Sequence, residues 1–165
     1  SLNLPDEEAQ ADQYLFMCDY LEKAGYIHYE ISNFCKKGFE SRHNIKYWQG
    51  KDYLGIGASA HSLLEGKRFY YPNDIKAFIK DANPIFDETL EPKAEYIMLS
   101  LRLNTGICFE EYQNKFGENL PEKLVSKARL YEKSRLLKIT EDGISLTDNG
   151  MLLSNSIITQ FLEEL

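Results

Sequence analysis

The sequence predicts an α+β chain in two parts, a helix, a strand and a loop over residues 1–65 followed by a mostly helical part over residues 66–165. Three observations carry this. A helical pattern that ends at Gly25 passes within a residue or two into a run of strand period. Beyond Gly66 the composition shifts to that of surface helices, punctuated by Pro72, Pro84 and Pro92. The last third alternates helical spacings with two short strand-like runs around Glu141-Asp142.

Pro5, followed by Asp6, Glu7 and Glu8, starts the first helix, with proline in the first turn and acids at the positive end of the dipole. Tyr14, Leu15, Cys18 and Leu21 form its apolar stripe, and Gly25 terminates it. In Tyr26–Ser32, Ile27, Tyr29 and Ile31 alternate with His28, Glu30 and Ser32, the period of a strand. One helix–strand unit cannot close a sheet by itself, so it reads as the last piece of a larger parallel structure. The chain begins with Ser1 and enters a helix almost at once, which is what a piece of a longer protein would show. Residues 33–51 have no period and read as a loop. Lys93–Asn104, Phe109–Phe116 and Glu122–Leu136 have helical spacing, Leu137–Thr140 and Gly143–Thr147 form a hairpin signalled by Asp142-Gly143, and Thr147 caps a last helix through Phe161. Three helices, a hairpin and a closing helix resemble a winged-helix domain.

Composition bounds the function. With 165 residues, 43% of them hydrophobic, nine Phe, eleven Tyr and one Trp, the chain is globular. Its net charge of −7 argues against nucleic acid as a partner, since phosphate recognition needs positive potential. Glu122–Arg135 gathers Lys123, Lys127, Arg129, Lys133 and Arg135 where a winged helix has its recognition helix, but cations spaced along one helix commonly form a solvated face. Cys18, Cys35 and Cys108 are odd in number and widely spaced, which predicts a reducing, cytoplasmic setting. No apolar run reaches the roughly 20 residues of a transmembrane helix.

Several residues are candidates for chemistry. Glu30 and Ser32 share the polar face of the expected strand, the position at which a barrel strand borders its site. In the loop, Lys36, Lys37, Arg42, Lys46 and Lys51 outnumber the single acid Glu40, and Phe34, Phe39, Tyr47 and Trp48 are interleaved with them. His43 sits among them; an imidazole can ligate haem iron, rings can lie on a macrocycle, and Arg42 or Lys46 can pair with propionates. His28 and His61 are expected to make only structural hydrogen bonds. Gly55 and Gly57 lack the third glycine of a dinucleotide fingerprint, leaving backbone packing and ligand contact as alternatives.

Ala24-Gly25-Tyr26, Tyr29-Glu30-Ile31-Ser32-Asn33-Phe34, Glu40-Ser41-Arg42-His43-Asn44, Tyr47-Trp48, Asp52-Tyr53-Leu54-Gly55-Ile56-Gly57 and Ala60-His61-Ser62, in that order, resemble the radical SAM family of the oxygen-independent coproporphyrinogen III oxidase. The resemblance continues through Leu101-Arg102-Leu103 and Leu146-Thr147-Asp148-Asn149-Gly150. It implies the end of a radical SAM partial barrel over residues 1–65 and the family's carboxyl-terminal helical, winged-helix-like domain over 66–165. His-Asn-x-x-Tyr-Trp at 43–48 is similar to the haem-binding signature of the family's haem-chaperone branch.

That likeness implies His43 as haem-iron ligand, Tyr47 and Trp48 as haem contacts, and Gln49 with Gly55, Gly57 and Ala58 as residues facing a cofactor and substrate cavity. It also implies haem or porphyrin as the bound partner and haem-accepting membrane enzymes as recipients. The alternative within the family is the dehydrogenase of porphyrin biosynthesis, with the basic loop holding substrate carboxylates; a DNA-binding winged helix is a third reading. The family's Cys-x3-Cys-x2-Cys motif is absent, because sixteen residues separate Cys18 from Cys35 and seventy-two separate Cys35 from Cys108. The resemblance therefore places the 4Fe–4S cluster and most of the S-adenosylmethionine site in other parts of a full-length protein, and these residues alone are expected to be inactive.

Overall fold

The computed structural model describes residues 4–87 and 91–165, and it is α+β as the sequence predicts. It divides into two compact units, Ser1–Glu40 with Ser100–Leu165, and Ser41–Leu99.

In the first unit, α1 (Glu7–Lys23) is capped by Asp6, whose carboxylate accepts from the Ala9 N–H at 2.9 Å. Strand β1 (Ile27–Glu30) pairs antiparallel with β2 (Asn33–Cys35), so the segment expected to be loop from residue 33 begins as a strand. The expected strand through Ser32 stops at Glu30. The Ile31 N–H donates to the Arg102 carbonyl at 3.0 Å and Asn104 donates to that of Tyr29 at 3.1 Å, so residues 102–104, with a bridge from Leu103 to Glu30, occupy the other edge of β1. All strand pairings among the described residues are antiparallel.

The second unit opens with α2 (Arg42–Trp48), a helix where a loop was expected. Strands β3 (His61–Leu64) and β4 (Lys67–Tyr70) form a hairpin, α3 (Ile75–Ile79) follows, and β5 (Ile85–Phe86) completes a sheet of order β3-β4-β5. The expected boundary at residues 65 and 66 falls inside this unit. Glu65 and Gly66, with φ of 51° and 74°, are the two central residues of the hairpin, a geometry suited to the twist of the flanking strands. Helix α4 (Pro92–Ser100) ends four residues before its expected limit of Asn104.

The remaining elements belong to the first unit: β6 (Ile107–Cys108), α5 (Phe109–Phe116), α6 (Glu122–Lys133), β7 (Leu137–Ile139), β8 (Gly143–Leu146), α7 (Asp148–Leu152) and α8 (Ser154–Leu162). The strands form a sheet of order β6-β8-β7. Ile107, Tyr112, Leu124, Ala128, Ile144 and Phe161 are fully buried; Leu124 with Ala128 and Ile157 with Phe161 are helical neighbours that face this core. The expected hairpin is present, with Glu141-Asp142 at its tip between the two expected runs. Gly143 serves a different need, because a Cβ there would lie 2.0 Å from the Ile107 carbonyl oxygen. The single last helix expected after Thr147 is two: Thr147 caps α7 through the Gly150 N–H at 3.1 Å, and Leu153 separates α7 from α8.

Candidate functional site

The motif at 43–48 lies on α2. Ser41 caps the helix, its hydroxyl accepting from the Asn44 N–H at 3.3 Å. Helical spacing puts His43 and Tyr47 on one face, with ring centroids 4.8 Å apart and planes at 86°. Tyr47 in turn lies 4.2 Å from the ring of Tyr53. His43 is exposed and Tyr47 half-buried, so this aromatic column is anchored at its inner end and presents imidazole at its outer end. Arg42 and Lys46 are exposed and four residues apart on the adjoining strip. Trp48 is five residues on, about 140° around the helix from His43, so α2 does not bring these two side chains to one face. Exposed Gln49 is the carboxyl-terminal cap.

Tyr53 exchanges both backbone hydrogen bonds with Leu63, at 2.8 and 3.0 Å, and its hydroxyl receives one from Arg68 at 3.4 Å. Arg68 also donates through Nε to Glu95 at 3.1 Å and through a second nitrogen to the same oxygen. Burial pushes the Tyr53 phenol up, opposed by the Arg68 charge, so the ring that supports Tyr47 stays neutral. Arg68 and Glu95 escaped the sequence reading because their partnership joins a strand to a helix 27 residues away.

At Gly55 the structure favours the packing alternative. Its N–H donates to buried Ser62 Oγ at 3.0 Å, and a Cβ would come within 2.2 Å of the His61 carbonyl oxygen. Gly57 and Ala58 lie half-buried in the loop that follows. In the first unit, Glu30 is 1% exposed and accepts from Asn33 Nδ2, whereas Ser32 is exposed in the β1–β2 turn. The polar face expected to unite them is therefore split by the early end of β1.

The sequence reading missed one grouping altogether. Cys18 of α1, His28 of β1 and Asp148 of α7 bring their donor atoms within 4.8 Å of one another. They line a cavity of about 240 Å³ shared with Glu22 and Asn104. Burial first, and then the Asp148 charge, push the Cys18 thiol above its ordinary range. Thr147-Asp148 at a helix start was the available signal, but nothing local pairs it with His28. Among the described residues no grouping of ligand side chains contains more than one cysteine, so these cysteines do not fit an iron–sulfur cluster.

The cations of α6 are partly engaged within their own unit. Lys127 Nζ donates to the Gln160 carbonyl at 2.8 Å and pairs with Glu164 at 2.7 Å, and Tyr131 donates to the Gln160 side chain. Lys127 holds the Glu164 carboxyl below its ordinary range. Among the described residues no helix is long and apolar enough to cross a membrane.

Three kinds of comparison with known proteins agree. Residues 87–153 match the HemN C-terminal domain. The chain is 37% identical to heme chaperone HemW of Lactococcus lactis over 98% of its own length and 44% of that protein's. It is 32% identical to HemW of Bacillus subtilis over 99% of its length and 45% of the relative's. The chain thus spans less than half the length of these relatives. Among solved structures, coproporphyrinogen III oxidase (HemN) from Escherichia coli, a radical SAM enzyme, matches with a TM-score of 0.67 over 99% of this chain and 43% of that one. At 18% identity, that likeness concerns the fold.

Proposed function

The chain belongs to the family of the coproporphyrinogen III oxidase HemN and the haem chaperone HemW, and from that premise we propose that it is the carboxyl-terminal part of a radical SAM haem chaperone whose α2 supplies a haem-binding surface. The observation that carries this reading is the column His43–Tyr47–Tyr53, with its imidazole at the exposed end. Neutral imidazole is an axial ligand of haem iron. Tyr47 holds the His43 ring by its edge and limits the rotamer freedom that ligation would otherwise have to remove. Arg42 and Lys46 supply positive charge beside it for the propionates, whose burial would be costly if unpaired. Trp48 contributes a haem contact only from a different side of α2.

Haem is cargo in this reading, held and passed on without turnover to haem-accepting membrane enzymes in a cytoplasmic setting. The 4Fe–4S cluster and S-adenosylmethionine are held by other parts of the full-length protein, and the roles of Gln49, Gly57 and Ala58 are confined to lining the cavity near them. The names of the relatives favour this over oxidation of coproporphyrinogen.

The test is a haemin titration of the chain followed by the Soret band, with His43→Ala and His61→Ala in parallel. Weakened binding and an altered Soret band for His43→Ala, with His61→Ala unchanged, is the expected result. Wild-type behaviour of His43→Ala would overturn the assignment.

A further inference from the structure

The cavity between α1, β1 and α7 gathers three chemically different donors from three separate elements. We propose that Cys18 Sγ, His28 Nδ1 and Asp148 Oδ1 form a transition-metal site suited to Zn²⁺, with water as the fourth ligand.

The geometry is close to what such an ion needs. Cys18 Sγ lies 3.9 Å from His28 Nδ1, and Nδ1 lies 2.8 Å from Asp148 Oδ1. Tetrahedral zinc with sulfur, nitrogen and oxygen ligands sets such separations at about 3.4–3.6 Å, so these two pairs adjust by roughly half an ångström and the Cys18–Asp148 pair, which lies within 4.8 Å, closes by up to about 1.2 Å. The cavity of about 240 Å³ leaves room for the ion and its water. Access is graded: Cys18 is 2% exposed and the Asp148 side chain 43%, so the sulfur donor sits deep and the oxygen donor at the mouth.

The imidazole is aimed before any ion arrives. Its ring stacks on Phe34 with centroids 4.2 Å apart and planes at 12°, and Tyr14 meets its edge at 5.9 Å. Nε2 lies 3.4 Å from the Tyr14 hydroxyl, which is 3.5 Å from the Ile31 carbonyl oxygen. With metal on Nδ1, Nε2 carries the ring proton and donates it to Tyr14, an outer partner of the kind that orients ligating histidines. Thiolate, imidazole and carboxylate together select a borderline-soft ion over Mg²⁺ or Ca²⁺. On binding, the ring proton that Nδ1 shares with Asp148 is given up and the ring keeps its proton on Nε2, the Cys18 thiol loses its proton to solvent, and the sulfur–metal and nitrogen–metal bonds form. The ion then ties α1, β1 and α7 together through one centre.

A titration of the metal-free 165-residue chain with Co²⁺, a spectroscopic stand-in for Zn²⁺, tests this. One equivalent should produce a thiolate-to-cobalt charge-transfer band with tetrahedral ligand-field bands, which Zn²⁺ displaces and excess Mg²⁺ does not. Cys18→Ser should lose the charge-transfer band, Cys108→Ser should keep it, and Asp148→Asn, which preserves a hydrogen-bonding group beside His28, should bind at least about tenfold more weakly. Circular dichroism establishes that each variant is folded. A spectrum of free aquo-cobalt in folded wild type would reduce the cluster to a hydrogen-bonded tie and overturn the proposal. Persistence of the band in Cys18→Ser would do the same, by assigning the sulfur to another cysteine.

Discussion

His28 Nδ1 and Asp148 Oδ1 lie 2.8 Å apart, a hydrogen bond that joins β1 to the first residue of α7 across 120 positions of sequence. The His28 side chain is only 10% exposed, so the contact is shielded on one side and open on the other. Such a bond contributes about 1 kcal/mol net. A double-mutant cycle of His28→Ala and Asp148→Ala in metal-free buffer, read by urea denaturation, should give a coupling energy of about that size. Strict additivity would show that the two residues act independently.

Glu30 is among the most deeply buried side chains, and its carboxylate takes a hydrogen bond from Asn33 across the β1–β2 turn. Hydrogen bonds to charged groups are worth about 1.5–3 kcal/mol, and removing one partner strands the other. Glu30→Ala should therefore destabilise the chain by roughly 2 kcal/mol in equilibrium unfolding. Glu30→Gln, which keeps an acceptor for Asn33, should lose distinctly less.

Gly106 combines a φ of 66° with an approach so close that a Cβ would stand 2.0 Å from the Ile144 carbonyl oxygen. Gly117, with φ 73°, has open space around the same position. The left-handed backbone costs a non-glycine residue about 1–2 kcal/mol in both places. Only Gly106→Ala adds a collision with β8, so its melting temperature should fall well below that of Gly117→Ala. Equal losses would mean that the β6–β8 spacing relaxes freely.

The elements legible from sequence are those with a cap and at least two turns of period. Asp6 and the acids after it marked α1, and α5, α6 and the hairpin around Glu141-Asp142 were placed to within a few residues. The seven residues of α2 are too few to establish a period, although Ser41 is a capping residue of the usual kind. Glu65-Gly66 lacks the Asn-Gly or Asp-Gly signature of a tight hairpin, so the β3–β4 turn carried no local signal. β2 and β6, three and two residues long, are defined by their partners and carry no pattern of their own. The candidate site divides in the same way. His43 and Tyr47 are near neighbours in sequence, and their contact follows once α2 is helical. Cys18, His28 and Asp148 meet only through tertiary folding, ten and 120 residues apart from His28.

The most direct measurement of the haem-binding claim compares the affinity of the chain for haemin with that for the same porphyrin without iron, in wild type and in His43→Ala. Ring contacts and propionate pairing act on both ligands, whereas ligation by His43 acts on haemin alone. Wild type should prefer haemin by about tenfold or more, the equivalent of roughly 1.4 kcal/mol, and His43→Ala should lose that preference while still binding the iron-free porphyrin. An undiminished preference for haemin in His43→Ala would contradict the account.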